Sequence, residues 1–511
     1  MQSLVVTFSR GLPAYLILIL ILSLSILLAI FSIGGNVNAE RLQHRGACVH
    51  YESEQKLIKI NCQSVRLTDV YNNLKNPSIL HKEITNQGIK SGLDNKNVWI
   101  LNAGIVVEKG AGLIIDSSDT SWLKIKATPT LQRVKLSNST IQASTDYSIG
   151  TIANLTNRTP QNEVNQDTNN TNDTVLVSKN NGDNPNGIHV HGSLLIDSVK
   201  ITSWDPETRD VIKFDLGKRP GEEHTKSDYD TAEHRAFIRI SKDATGTSNI
   251  TNSELAYLGY SCSRCAGLSY YGGEGSVLKN NDIHHLLKGY YSKGMGYMLI
   301  ENNKVHDNYL YGIDPHTGSH DIVIRNNKVY DNNASGIICS KDCYRILIEG
   351  NEVYRNGGIG RGIAFSINMT NSIARNNDVY SNERCISFNK DSNHNQVYDN
   401  KISNCDVGIY LSNTSKNTIY NNNIVNSKFG IVIKHATTNN ITNNVIDKTK
   451  SGLTFINKNV NSSDLYPTSY NEDSIGPYLD RFKSGNKLLD VSDPVVTDTG
   501  NAQRLKHLLN S

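Results

Sequence analysis

Twelve consecutive residues hold the densest chemistry in this chain: Tyr309-Leu310-Tyr311-Gly312-Ile313-Asp314-Pro315-His316-Thr317-Gly318-Ser319-His320. Side chains alternate faces along a strand, so an inward Ile313 turns Asp314 and His316 to the same outer face. A neutral histidine there can take a proton, a tyrosine can return one, and a nearby lysine can neutralise a carboxylate. That combination suits removal of a weakly acidic proton from a carbon beside a carboxylate. Charge neutralisation is the larger contribution, and general acid–base groups add ~10²–10⁴-fold.

What positions these residues is a repeat. Gly followed by an apolar residue recurs at Gly267, Gly289, Gly312, Gly336, Gly362, Gly408, Gly430 and Gly452, with Cys385-Ile386 filling the one gap, at steps of 22 to 26 residues. A second marker runs in register: Asn281, Asn303, Asn327, Asn351, Asn377, Asn400, Asn423 and Asn444. Each period holds two or three short alternating strands that cannot bury a core alone. Stacked ~4.8 Å apart, their Ile and Val residues form interior ladders. An Asn at a fixed turn can adopt the left-handed conformation and hydrogen-bond along the stack. The pattern predicts an all-β fold, a right-handed parallel β-helix, over residues 185–460. A leucine-rich repeat shares the period, but its Leu-x-x-Leu-x-Leu signature is absent.

Registering the coils on their glycines assembles a site. Ser269, Tyr291, Asp314, Ile338 and Ala364 fall at one outward level. Tyr271, Lys293, His316, Ser340 and Ser366 fall at the next, and Lys341 follows Ser340. One face thus gathers Tyr, Lys, Asp, His, Ser and a second Lys, which suits a polyanionic sugar chain lying in a groove. The cluster Asp314, His316, His320 and Asp321 is also compatible with a metal site. His189 and His191 read as polar surface.

The remaining sequence bounds the answer. The chain has 511 residues, a net charge of +3 and 20% charged residues, which excludes a strongly basic nucleic-acid binder. Residues 41–184 are expected to hold a cap and early coils, with Val98–Leu101 and Leu113–Ile115 as strands and an Asn-rich insertion near 155–186. A long loop is expected at 205–235. Residues 461–511 read as a polar tail with a short helix near Leu505–Leu509. No Gly-rich nucleotide loop and no calcium-binding nonapeptide repeats occur, so no cofactor is implied and a calcium requirement stays open.

Residues 1–40 contain an apolar run, Leu12 to Ile33, long enough to cross a bilayer core of ~30 Å. It predicts a transmembrane anchor with Arg10 on the cytoplasmic side, or a signal peptide cleaved after Val37-Asn38-Ala39. Either places the bulk of the chain outside the cytoplasm. Sequons such as Asn249, Asn413 and Asn440 fit that compartment. The eight cysteines fall as neighbours, Cys48/Cys62, Cys262/Cys265, Cys339/Cys343 and Cys385/Cys405, and suggest disulfides.

The run Tyr311-Gly312-Ile313-Asp314-Pro315-His316 resembles the signature of mannuronan (alginate) C5-epimerases. Similarity to the periplasmic type extends to Leu258-Gly259-Tyr260, Gly267-Leu268-Ser269-Tyr270, Gly289-Tyr290-Tyr291 and Gly336-Ile337-Ile338-Cys339-Ser340-Lys341, over residues 185–400. The resemblance implies that His316 removes the C5 proton, that Asp314 orients the site or binds sugar, and that the proton is donated by Tyr311, as in the secreted type, or by a water, as in the periplasmic type. Lys341 stands where the periplasmic family has an arginine that neutralises the substrate carboxylate; it keeps the charge and loses the bidentate fork. Lys293, Tyr291, Tyr271, Ser340 and Asn368 are candidate substrate contacts. The expected activity is inversion of C5 in a uronate polymer. A uronate lyase on the same fold and a non-catalytic glycan-binding β-helix are the alternatives. The expected partners are an anionic polysaccharide and, through the N-terminal segment, a membrane.

Overall fold

The computed structural model describes residues 48–83, 97–127, 148–149, 177–178, 186–213, 235–260, 264–357, 360–456, 482 and 485–497. The N-terminal apolar run, most of the Asn-rich insertion, most of the 205–235 loop and the Leu505–Leu509 helix lie outside these residues. Among the described residues no helix is long and apolar enough to cross a membrane.

Three strands make up each coil, and each strand pairs in parallel with its equivalent one coil away. The first face runs through Gly187–Val190, Phe237–Ile240, Gly267–Tyr270, Lys288–Lys293, Ile313–His316, Ile337–Cys339, Arg361–Phe365 and on to Phe429–Lys434. The second runs from Ser193–Asp197 to Asn440–Thr442, and the third from Lys200–Asp205 to Val445–Ile456. The early segments join the same stack: Leu57–Ile60 pairs with Gly104–Val107, which pairs with Gly187–Val190. A helix, Leu67–Leu74, buries Leu67 and Val70 beside these first coils. Lys487–Thr497, in the segment expected to be a polar tail, adds a final parallel strand to Val445–Ile456.

Hydrophobic ladders hold the stack. Ile188, Ile238, Leu268, Tyr290, Ile313, Ile337, Ile363, Ile386, Ile409, Ile431 and Leu453 succeed one another on the first face, each without solvent exposure. Each buried aliphatic side chain contributes ~1.5–3 kcal/mol. Every strand offers its backbone to two neighbours, so coil number rather than coil size builds the core.

The asparagine marker resolves into two roles on successive residues. Asn280, Asn302, Asn326, Asn376, Asn421 and Asn443 carry the left-handed turn, with φ between 54° and 58°. The next residue forms the ladder. Asn281, Asn303, Asn327, Asn351, Asn377, Asn400, Asn422 and Asn444 each pass an amide N–H to the following Asn Oδ1, or from Asn444 to Asn486, at 2.9–3.0 Å. The seventh rung is therefore Asn422, buried, and not Asn423, which is exposed at the start of a strand.

Cysteine chemistry departs from expectation at one neighbouring pair, Cys339 and Cys343. Cys385 and Cys405 form a disulfide, and Cys48, Cys62 and Cys265 are disulfide-bonded. Cys262 lies outside the described residues. Cys339 and Cys343 are free and fully buried. The Cys343 thiol donates to Pro315 O and Lys341 O, and both cysteines take up interior space as small apolar groups.

Candidate active site

The corner ahead of Ile313 requires a glycine. A Cβ on Gly312 would fall 2.6 Å from Gly336 O and 2.7 Å from Val329 Cγ1. The tight corner aims the next four residues, Ile313–His316, along the first face. Register partners there are Tyr291 with Asp314 and Lys293 with His316, as the glycine alignment predicts.

Asp314 is turned away from the interior ladder and yet has no solvent exposure. Three side chains enclose it. Lys288 Nζ donates to Oδ2 at 3.0 Å, Ser340 Oγ donates to Oδ1 at 2.6 Å, and Tyr291 lies beside it on the preceding coil. Lys288 Nζ also stands 4.2 Å from the centre of the Tyr291 ring and 5.3 Å from that of Tyr311. An outward carboxylate thus becomes buried because Lys288, Ser340 and Tyr291 close around it. The expectation of an outward, groove-lining Asp314 is corrected accordingly: it is the floor.

His316 is partly exposed at the next level. Its ring centre is 5.5 Å from that of Tyr291, which is 6.0 Å from that of Tyr271. Nδ1 hydrogen-bonds with the Thr317 hydroxyl. If that nitrogen carries the proton and donates to Thr317, Nε2 is left with its lone pair free to act as a base. Burial lowers the His316 pKa from 6.5; Asp314 opposes this, and Lys288, Lys293 and Lys341 add to it. The ring is therefore neutral at pH 7. Lys293 and Lys341 are exposed and flank it. Tyr311 is raised above the ordinary phenol by burial and by Asp314, so it keeps its proton.

The structure thus brings Asp314, His316, Tyr291, Tyr311, Ser340, Lys293 and Lys341 to one cluster, with Tyr271 at its margin. Asn368 occupies a left-handed turn, with φ of 56°, and its amide donates to Asp342 at 2.9 Å. His320 and Asp321 leave the cluster: they bond to each other, and Arg345 takes Asp321. Among the described residues no group of three or more His, Cys, Asp or Glu is placed to hold a metal. His189 is buried rather than on the surface, with its Nδ1 2.6 Å from Arg239 Nη2.

Lys288 is the residue that the sequence reading missed. Its strand carries one extra residue against the preceding coil: Gly267 faces Lys288, but Ser269 already faces Tyr291. The signal was a third column. Lys288, Tyr311, Ser335 and Arg361 each immediately precede a repeat glycine, and backbone N–H groups of Gly289, Gly312 and Gly336 bond to Tyr311, Ser335 and Arg361 O in turn.

A family model described as a right handed beta helix region matches residues 238–402 and 318–463. No curated protein sequence matches the chain significantly. Among solved structures, the periplasmic alginate epimerase AlgG is similar at 17% identity and a TM-score of 0.52, covering 86% of this chain and 83% of that one. A mutant of AlgG gives the same identity and coverage with a TM-score of 0.53. At that identity the likeness speaks for the fold. The chain is a right-handed parallel β-helix.

Proposed function

We propose that this protein is a polysaccharide-modifying isomerase that inverts C5 of uronate residues within a polymer, acting outside the cytoplasm. The observation that carries this reading is the pairing of a neutral, partly exposed His316 with two exposed cations, Lys293 and Lys341, that have no acidic partner among the described residues, above a buried Asp314 held by Lys288 and Ser340. His316 Nε2 takes the C5 proton. Lys341 and Lys293 neutralise the substrate carboxylate, which stabilises the enolate-like intermediate. Tyr311, protonated and held between Lys288 and the groove, returns a proton from the opposite face. The likeness in fold to a periplasmic alginate epimerase supports mannuronan as the first substrate to try.

The test is proton NMR of polymannuronate incubated with the protein in D₂O, beside His316→Ala. New guluronate signals with deuterium at C5, lost in the variant, are expected. An unsaturated uronate signal would make the protein a lyase, since only elimination of the 4-O-linked chain produces one. Unchanged polymer that still binds would leave a glycan-binding protein.

A further inference from the structure

Two guanidiniums stand one above the other on the first face, outside the reacting cluster. Arg361 and Arg384 are register partners on adjacent coils, ~4.8 Å apart along the stack. They continue the column of Lys288, Tyr311 and Ser335. Like charges opposite each other on neighbouring strands are unfavourable. Burial first, and Arg384 second, lower the proton affinity of Arg361.

Elsewhere the chain stacks cations against acids. Glu301 sits between Lys279 and Arg325, and Arg375, Arg345 and Arg355 bond to Glu349, Asp321 and Asp331 one coil back. Arg361 breaks that habit. Its Nε is cut off from solvent and has no hydrogen-bond partner among the described residues. Arg384 has Glu383 at 3.6 Å and lies over the Tyr410 ring at 4.1 Å. The residues at the Asp314 level of these two coils, Ala364 and Ser387, are small and buried, so the two guanidiniums and not that level meet the solvent. Arg361 is also near enough to Tyr311 for each to shift the other's proton affinity.

We propose that Arg361 and Arg384 form an anion subsite for a carboxylate of the same polymer, on a unit farther along the chain than the one at His316. Two coil steps, about 10 Å along the stack, separate the His316 strand from the Arg361 strand, and Arg361 stands at the Tyr311 level of its strand, so the carboxylate it takes belongs to a unit at least two beyond the one at His316. The protein therefore reads a charged chain and not a single sugar. This inference rests on the polyuronate reading above.

The experiment compares Arg361→Gln, Arg384→Gln and the double variant with the parent, on oligomannuronates from dimer to octamer. Binding of polymannuronate and polygalacturonate is measured in the His316→Ala background. Lys304→Gln, exposed on the third face, controls for net charge. For long oligomers each arginine change is expected to raise KM about tenfold, as for loss of a charge-assisted contact, with kcat within about twofold. Dimers are expected to be indifferent, and Arg361→Lys to recover most of the loss. Equal affinity for both polymers in parent and double variant would overturn the subsite, as would an equal loss in Lys304→Gln. Turnover that persists without any arginine effect sinks the subsite and leaves the epimerase reading standing. Binding that falls with the arginines in a protein that turns over no uronan does the reverse. If Arg361→Gln does not melt cooperatively, Arg384→Gln decides.

Discussion

The Lys288 ammonium and the Asp314 carboxylate meet at 3.0 Å across one coil step, with Asp314 sealed from solvent and Lys288 partly exposed. The second carboxylate oxygen is taken by Ser340 from the coil on the other side. Three successive coils are thereby tied together under His316.

Removing one partner of that pair leaves a buried charge. Lys288→Met is expected to destabilise the protein by about 3 kcal/mol, whereas Lys288→Met with Asp314→Leu recovers much of the loss. Denaturant unfolding of the single and double variants checks this. A Lys288→Met protein as stable as the parent would mean that the pair is open to water.

The acid limb of activity follows from the signs at His316. Its pKa lies below 6.5, so kcat/KM is expected to hold to a lower pH than an unperturbed imidazole allows. Lys293→Gln and Lys341→Gln each remove a positive neighbour, ease protonation and move the limb up. Asp314→Asn removes a negative neighbour and moves it down. NMR titration of the His316 ring reads the same shifts in variants too slow to assay.

Asn422 and Asn423 are adjacent but unequal. The Asn422 amide donates to Val397 O, Tyr420 O and Asn444 Oδ1, and its Oδ1 accepts from the Asn400 backbone and side chain. Asn422→Ala orphans several buried groups and is expected to cost about 3 kcal/mol. Asn423→Ala, on the exposed face, is expected to stay within about 0.5 kcal/mol of the parent. Thermal melts of the two variants make the comparison.

How far the sequence could be read depended on what each residue repeats with. The interior ladder was legible because Ile and Val recur at fixed distance from a glycine that the corner demands. Tyr291, Asp314, Lys293 and His316 were legible for the same reason: outward residues inherit the ladder's register. Lys288 escaped because one extra residue in its strand breaks that inheritance, and because its role is set by what covers Asp314. Asn423 was one residue off because two asparagines in succession do different work and only hydrogen-bond direction separates them. Cys339 and Cys343 were misread because proximity in sequence does not state which way a thiol points. In this fold both point into the stack.

The thiols give a further test. Burial pushes the Cys343 thiol up to about 12, and raises Cys339 as well. Neither is expected to react with an alkylating reagent in the native state, and both are expected to react on denaturation without reductant. Peptide mass spectrometry reads each position. The Cys385–Cys405 bond closes a span of 20 residues, and its removal is expected to cost about 3 kcal/mol.

The asparagine ladder also gives the molecule a polarity. Every rung donates toward the C-terminal end and accepts from the N-terminal side, so any rung can follow any other. Duplicating or deleting one whole coil away from residues 288–341 would restore the same partners at the new junction. Groove length is then a quantity that can drift in increments of ~4.8 Å while the reacting cluster stays unaltered. A lineage built on this plan can change how much polymer it grips without touching the atoms that do the chemistry.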